Sequence, residues 1–201
     1  MQAVALRRTV HFQGDKKMGY VYLYIGTGGG KTANALGLAL RSVGHNKNVV
    51  IIQFFKWKRD IGEVLIRDKL APYYEIYQFG REVWLGEKEQ TAEFGGETFI
   101  VESVKSHDRK LAKEALDFAA KIMGEKKPHL LVLDEVGLAA QWKMLKTKDV
   151  MKMLENVPEE TTVVMTGRVA PKKFFERADF INEVKQVKMP ETFKLTKGIQ
   201  Y

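Results

Sequence analysis

The feature that most constrains this chain is a glycine-rich segment between an apolar run and a run of helix-forming residues. Residues 20–25 are aromatic, apolar and β-branched, as in a short strand. Residues 26–30 read Gly-Thr-Gly-Gly-Gly. Lys31 and Thr32 then open an alanine- and leucine-rich run that predicts a helix up to residue 43, with Gly44 as its C-cap. This order of strand, glycine loop, Lys-Thr and helix is typical of loops that bind phosphate.

Each part of the loop has a chemical role in phosphate binding. The predicted phosphate-binding residues of the loop itself are Gly26, Thr27, Gly28, Gly29 and Gly30. Their backbone N–H groups can converge on an anion, next to the positive end of the helix dipole. The Lys31 ammonium would contact phosphate oxygens, and the Thr32 hydroxyl would bind Mg²⁺. The loop is one residue shorter than the usual pattern, and the alternative interpretation is a turn that binds nothing.

The rest of the chain alternates between predicted strands and predicted helices. Strands are predicted at 48–54, 74–79, 130–135, 161–166 and 180–187. Helices are predicted at 61–70, 107–123, 148–156 and 171–177. Residues 80–105 give no clear pattern. Together with the phosphate loop, this alternation predicts an α/β, P-loop NTPase-like (RecA-like) fold, with a mostly parallel sheet and helices on both faces.

Length and composition limit the classes of protein to consider. A chain of 201 residues with 45% hydrophobic residues suits one domain with a sizeable core. We expect a single P-loop domain at 19–201 and an N-terminal arm at 1–18, which is mobile or folds over the ligand site. The chain has no cysteine, which excludes disulfides and cysteine-ligated metal sites. No stretch has the length of a signal peptide or a membrane span, so we expect a soluble, cytoplasmic protein.

The net charge of +8 favours anionic ligands such as nucleotides. Basic and aromatic residues do not follow the pattern of an RNA-binding module, so a nucleic-acid partner is not expected. Trp57 and Trp84 follow predicted strands, and we expect both to lie in loops. Tryptophans in such places either pack or bind a flat apolar ligand, and both interpretations stay open at this point.

Ligands of open parallel sheets bind outside the carboxyl ends of the strands, and charged residues lie at the carboxyl ends of two of the predicted strands. Asp134 and Glu135 resemble the Walker B carboxylates that hold Mg²⁺ directly or through water. We expect Glu135 to face Thr32 from a neighbouring strand. Arg168 is placed to neutralise a phosphate. The alternatives are a pair of acids that caps the following helix and an ordinary surface arginine.

Several segments together resemble the ATP:corrinoid adenosyltransferases of the CobA/CobO/BtuR family. They are the short loop at 26–32, Arg-x-x-Gly-His at 41–45, the strand and lysine at 50–56, Leu-Asp-Glu at 133–135, Thr-Gly-Arg at 166–168 and Gly-Ile-Gln-Tyr at 198–201. Each segment alone is a weak signal. Their order and spacing are specific, and the resemblance extends over residues 20–201.

The resemblance implies transfer of the 5′-deoxyadenosyl group of ATP to Co(I) of a corrinoid, either cobalamin or a precursor, with release of triphosphate. It implies catalytic roles for Lys31 and Arg168, which with Mg²⁺ or Mn²⁺ would neutralise the leaving triphosphate. Arg41 would join the ATP-binding residues, and Thr32 and Glu135 would be metal ligands with Asp134 beside them. A reduced flavin or flavoprotein would supply electrons, and the resemblance leaves a homodimer open.

Trp84 corresponds to the tryptophan of the family's Phe-x-Trp, which covers the lower face of the corrin and displaces its axial base. The phenylalanine is missing here, Gly29 stands where the family often has a second lysine, and Ala33 stands where it often has a second threonine. Two alternatives therefore stay open. One is a P-loop ATPase or kinase of another specificity, and the other is a nucleotide-binding regulatory protein without turnover.

Overall fold

A computed structural model describes residues 18–200, and their strands form one large and one small sheet. The strands are β1 (Val21–Ile25), β2 (Val49–Phe54), β3 (Tyr74–Phe79), β4 (Trp84–Gly86), β5 (Gln90–Phe94), β6 (Glu97–Ser103), β7 (Leu130–Asp134), β8 (Thr162–Gly167) and β9 (Phe180–Glu183). The main sheet has the strand order β3-β2-β7-β8-β1-β9, and every neighbouring pair is parallel.

Helices cover the main sheet on both faces, which confirms the predicted fold class. The helices are α1 (Lys31–Gly44), α2 (Gly62–Leu65), α3 (Ser106–Glu125), α4 (Val136–Gln141), α5 (Thr147–Leu154) and α6 (Lys172–Arg177). One face packs against α1, and the opposite face packs against α3, α4, α5 and α6. All six residues of β2 are buried because the strand lies between both layers, and its continuous apolar run is typical of a central parallel strand.

Two predicted elements are shorter in the structure. The predicted helix at 61–70 divides into α2 and a 3-10 turn at Arg67–Lys69. Val64 and Ile66 both pack against the sheet, and no single face of an α-helix holds residues two positions apart. The predicted strand at 180–187 ends at Glu183 because the next residue, Val184, pairs with the phosphate loop. Helix α1 includes Gly44, so His45 is its C-cap.

The segment that gave no sequence pattern forms a small three-stranded sheet, β4-β6-β5, which we call the accessory sheet. Strands β5 and β6 are an antiparallel hairpin, and β4 pairs with β6 in parallel. Gly95 and Gly96 connect the hairpin with φ values of 61° and 79°, as a type I′ turn requires. This glycine pair was a hairpin signal that the sequence analysis missed. Trp84 opens β4, so the expectation that it lies in a loop was wrong.

Met18 is the part of the predicted arm at 1–18 that the structure describes, and it packs half-buried against the core. The rest of that arm and Tyr201 lie outside the described residues. None of the helices within residues 18–200 combines the length and the apolarity needed to cross a bilayer.

Candidate active site

The phosphate-loop candidate lies between the end of β1 and the start of α1. Gly26 and Gly30 have φ values of 116° and 101°, which glycine adopts without strain. No side chain caps the N-terminus of α1, and its first turn contains no acidic residue. The amide donors at this helix end are therefore free of side-chain acceptors, which suits an anionic ligand.

The C-terminal segment after β9 lies directly against this loop. The Gly28 amide donates a hydrogen bond to the Val184 carbonyl at 3.0 Å. A Cβ atom at Gly28 would lie 2.8 Å from the Lys185 carbonyl carbon and 2.9 Å from the Gln186 amide nitrogen. Backbone approaches the loop so closely that no side chain fits at this position, and the segment therefore fixes the shape of the loop.

Lys31 is buried beneath the loop, with 6% of its surface exposed. Its ammonium donates to the Gly28 carbonyl at 2.7 Å. Burial lowers the pKa of Lys31, and the nearby charge of Arg168 lowers it further, whereas Glu135 and Asp134 oppose this effect. The lysine is thus held among the residues that the sequence analysis assigned to phosphate and metal binding, where a phosphate could replace its backbone partner.

Asp134 is fully buried and accepts hydrogen bonds on both carboxylate oxygens. Thr32 and Thr166 donate their hydroxyls to Oδ1 at 2.9 and 2.8 Å. Gln53 donates to Oδ2 at 3.2 Å, and the Lys56 ammonium lies 3.0 Å from the same oxygen. Burial alone would raise the pKa of Asp134, but Lys56 and these hydrogen bonds hold it below its ordinary value.

Glu135 is adjacent in sequence but has a different environment. Its φ of 67° turns the chain sharply at the end of β7, and its amide donates to the Thr166 hydroxyl at 2.8 Å. Its Oε2 atom is buried without a hydrogen-bond partner. Burial, and then the neighbouring Asp134, raise the pKa of Glu135. A buried, unpaired carboxylate oxygen held in strained backbone is typical of a ligand-binding site.

The two acids and Thr32 therefore differ in what they offer a cation. Thr32 gives its proton to Asp134, so its oxygen lone pairs remain available. Glu135 presents the unpaired oxygen, whereas Asp134 already has four donors around it. Thr32 and Glu135 could therefore hold Mg²⁺, and Asp134 would act by holding Thr32. Residues 18–200 contain no cluster of three or more His, Asp or Glu side chains arranged to bind a metal alone.

The expectation that the acids and Thr32 come from neighbouring strands was wrong. Strand β8 lies between β7 and β1 in the main sheet. The Thr32 hydroxyl still reaches Asp134 because Thr32 belongs to the first turn of α1, which crosses that end of the sheet, and Thr166 at the end of β8 fills the space between them.

The structure adds two residues to which the sequence analysis gave no role. Lys56 lies between Asp134 and Glu63, 3.0 and 3.3 Å from their carboxylate oxygens. Gln53 donates to both carboxylates and accepts from Gln78 at 3.0 Å. Both belong to the segment 50–56 on which the family resemblance partly rests, but its sequence does not indicate which acid a lysine will approach.

The two arginines of the prediction lie in different places. Arg168 is exposed directly after β8. Burial lowers the pKa of Lys31 and raises that of Glu135, and the charge of Arg168 acts to lower both. Arg41 lies in the last turn of α1, ten residues beyond Lys31, so it is about 15 Å further along the helix. Its charge instead acts on Tyr24, whose pKa burial raises and Arg41 partly lowers.

Aromatic side chains connect the accessory sheet to the segment that follows β2. The Trp84 indole is 43% exposed, and its ring centroid lies 5.3 Å from Trp57 and 4.9 Å from Phe99, both edge-on. The Lys58 ammonium lies 5.5 Å from the Trp84 ring. Trp57 directly follows Lys56, so the aromatic face begins one residue from the ion pair with Asp134.

Comparison with known proteins gives a consistent result. The family described as ATP:corrinoid adenosyltransferase BtuR/CobO/CobP matches residues 17–201. Corrinoid adenosyltransferase CobA of Salmonella typhimurium is 30% identical over 192 residues, covering 94% of this chain and 89% of that protein. Corrinoid adenosyltransferases of Escherichia coli K12 and Pseudomonas aeruginosa are each 28% identical, over 88% and 94% of this chain and 81% and 87% of their own lengths.

Proposed function

Because the chain belongs to the ATP:corrinoid adenosyltransferase family BtuR/CobO/CobP, we propose how its residues move the adenosyl group of ATP to the cobalt of a corrinoid. The observation that carries the proposal is the juxtaposition of two surfaces. Lys56 pairs with Asp134 beside the phosphate loop, and the next residue along the chain, Trp57, packs against Trp84. One surface suits a nucleotide, and the other suits a flat apolar macrocycle.

The phosphate loop holds the triphosphate, with the γ-phosphate inside the loop and the ribose directed outward. The electron pair of Co(I) attacks the C5′ carbon, the C5′–O5′ bond breaks, and its electrons leave with the triphosphate. No general base is needed because no proton moves in this step. Lys31 and Arg168 stabilise the negative charge of the leaving triphosphate, and the buried position of Lys31 strengthens that interaction.

Thr32 and Glu135 fit Mg²⁺ or Mn²⁺, since one offers free lone pairs and the other an unpaired buried oxygen. The metal would supply further positive charge to the phosphates. Asp134 keeps the Thr32 hydroxyl oriented, and Thr166 orients both acids through its two hydrogen bonds. We also propose that Arg41, at the far end of α1, contacts the part of the nucleotide that lies furthest from the phosphate loop.

Trp84 is the residue that we assign to the lower face of the corrin. Its indole is large, flat and half-exposed, and its N–H offers no lone pair to cobalt. It can exclude the axial ligand, which makes Co(II) easier to reduce. The chain has no cysteine thiol to supply electrons, so we infer an external reductant, a reduced flavin or flavoprotein. We also propose that the protein is cytoplasmic and that it forms a homodimer.

Incubation of the protein with MgATP and chemically reduced cobalamin tests the proposal. We expect the absorption spectrum of adenosylcobalamin to appear, and inorganic triphosphate to form in equal amount. Formation of ADP instead would indicate an ATPase or kinase, and the absence of both products would indicate a nucleotide-binding protein without turnover. Repeating the assay with cobinamide and with corrinoid precursors identifies the preferred substrate.

A further inference from the structure

The accessory sheet carries Trp84 but shares no backbone ladder with the main sheet among residues 18–200. Its position relative to the phosphate loop therefore depends on side-chain contacts, on the chain segments that lead into it, and on the C-terminal segment, whose Leu195 amide donates to the Gly95 carbonyl. Trp84 opens β4, four residues after Gly80, so the short connection from β3 is the direct link between the two sheets.

Arg81 lies in this connection and makes ion pairs in two directions. Its Nε and Nη2 atoms donate to the two carboxylate oxygens of Asp108 at 2.7 and 3.2 Å. Its Nη1 atom lies 2.9 Å from a carboxylate oxygen of Glu102. Asp108 belongs to the first turn of α3, which packs on the main sheet, and Glu102 belongs to β6 of the accessory sheet.

Asp108 is held firmly at the start of α3, and Glu102 lies beside the strand that carries Trp84, so the bridge can fix the position of that strand. Asp108 is 2% exposed, and it also accepts the Lys105 amide at 2.8 Å, which closes a capping box at the start of α3. Glu102 pairs in the β4–β6 ladder with Leu85, the residue after Trp84. The two-pronged contact to Asp108 fixes the plane of the guanidinium, so the direction to Glu102 is fixed as well.

We propose that Arg81 is a positioning residue, which holds the accessory sheet so that the Trp84 indole faces the reacting cobalt at the correct distance from the phosphate loop. This inference rests on the proposed function of Trp84. The edge-on contacts of Trp84 with Trp57 and Phe99 do not fix a distance by themselves, because apolar rings can slide while they remain in contact. Arg81 has none of its described contacts with the phosphate loop, Asp134 or Glu135.

The structure therefore predicts that loosening this bridge slows the reaction of the corrinoid and leaves the binding of ATP nearly unchanged. Displacement of a substrate-contacting group by about 1 Å can lower a rate roughly 100-fold. Nucleotide binding should change little because the loop is held by Val184 and the start of α1. A residue that only stabilised the fold would affect both substrates together.

The test uses Glu102→Ala, which releases the accessory sheet while the buried Asp108 keeps its partner. Glu97→Ala, at an exposed position of the same strand, is the matched control. The full-length variants are assayed with MgATP and Co(II) cobalamin in the presence of a mild reductant, the assay that depends on the role proposed for Trp84, and thermal unfolding is recorded. We expect Glu102→Ala to lower kcat/KM for cobalamin about tenfold or more while KM for ATP stays within about twofold, and Glu97→Ala to resemble the wild type.

An unchanged kcat/KM for cobalamin overturns the inference, and so does a parallel loss for both substrates that follows a fall in Tm. If Glu102→Ala does not fold, Glu102→Gln keeps the shape and removes only the charge, and the same split between substrates is required of it. A wild-type protein that forms no adenosylcobalamin would refute the proposed function itself. In that case quenching of tryptophan fluorescence by cobinamide, compared between Glu102→Ala and Glu97→Ala, still tests the positioning role.

Discussion

At the scale of single residues, two adjacent carboxylates have opposite environments. Asp134 has hydrogen-bond donors on both oxygens, and its pKa is held low although burial alone would raise it. Glu135 has a buried oxygen without a partner, and burial raises its pKa. One acid is satisfied by the protein, whereas the other is left for a ligand, and their substitutions should therefore have opposite effects on stability.

We predict that Glu135→Gln raises the Mg²⁺ concentration needed for half-maximal activity about 10- to 100-fold. In the absence of metal the same change should raise Tm at pH 7. The stability should rise because burial raises the pKa of Glu135, which means that an ionised carboxylate at this buried position lowers the free energy of unfolding. The measurements are a Mg²⁺ titration of activity and thermal unfolding in EDTA. Asp134→Asn should instead lower Tm, because it weakens the pairing of Lys56, and an unaltered Mg²⁺ requirement in Glu135→Gln would refute the assignment.

Lys31→Ala should lower kcat/KM for ATP about 100- to 1000-fold, because the variant loses the buried ammonium that is held inside the phosphate loop. Steady-state kinetics with pre-reduced cobalamin measures this loss. Lys172→Ala, at a 90% exposed side chain, is the control and should leave the kinetics unchanged. Near-normal turnover of Lys31→Ala would mean that the glycine loop is only a turn.

At the scale of elements, the accessory sheet and helix α3 decide where the aromatic face lies. The hairpin of β5 and β6 turns through two glycines, and β4 adds Trp84 at its side. The first turn of α3 supplies the buried carboxylate that anchors Arg81. Two predictions belong to these elements.

Trp84→Ala should slow turnover when cobalt is supplied as Co(II) with a mild reductant, but largely spare turnover with pre-reduced Co(I). The reason is that the indole excludes the axial ligand, which matters only for the reduction step. Parallel assays with the two forms of cobalamin measure the difference. Equal loss in both assays, together with a lower Tm, would indicate that Trp84 is a packing residue. Trp142→Phe, which alters a tryptophan that contacts Phe55 outside the accessory sheet, is the control.

Asp108→Asn should destabilise the protein by about 2 kcal/mol at pH 7, since it weakens a buried ion pair and a capping box. Burial would raise the pKa of Asp108, but Arg81 and the Lys105 amide hold it below its ordinary value of 3.8. The carboxylate therefore contributes stability above that value and loses it as the pH falls through its folded pKa. Denaturant unfolding between pH 7 and pH 3 should show the two proteins converging. Asp117→Asn, at an exposed position of α3, should change stability by less than about 0.5 kcal/mol at any of these pH values.

At the scale of the whole molecule, the C-terminal segment joins the two candidate substrate surfaces. It leaves β9 and pairs with the phosphate loop through Val184. It then reaches the accessory hairpin, where Phe193 packs edge-on against Phe94 and the Leu195 amide donates to the Gly95 carbonyl at 3.3 Å. The shape of the loop and the position of the hairpin thus share one support.

Two neighbouring glycines of the loop test this support. A Cβ atom at Gly28 would lie within 3.0 Å of backbone atoms of residues 184–186, whereas one at Gly29 has no atom within 4 Å. Gly28→Ala should therefore displace the C-terminal segment, raise KM for ATP about tenfold, and speed proteolysis after residue 184. Gly29→Ala keeps the amide donor and should behave like the wild type. Similar behaviour of the two variants in kinetics and in limited proteolysis would contradict this role of the segment.

Much of the fold follows from sequence patterns that report local physics. Continuous apolar runs predicted the central strands because a parallel strand is buried on both faces. The accessory sheet was missed because its strands are short and mostly exposed, so their side chains give no regular apolar alternation. The end of β9 was misplaced because the partner of Val184 is a loop more than 150 residues earlier in the chain.

The sequence by itself determined the glycine loop, the order of strands and helices, and the presence of two acids after a strand, because each depends on neighbours along the chain. Only the tertiary structure decided which acid is satisfied and which is free. That distinction depends on Thr32, Thr166 and Lys56, which three different parts of the chain bring to Asp134. The pairing of Trp57 with Trp84 and the bridge from Arg81 to Asp108 were decided in the same way. Contacts between distant segments form where packing brings them together, and packing is a property of the whole fold.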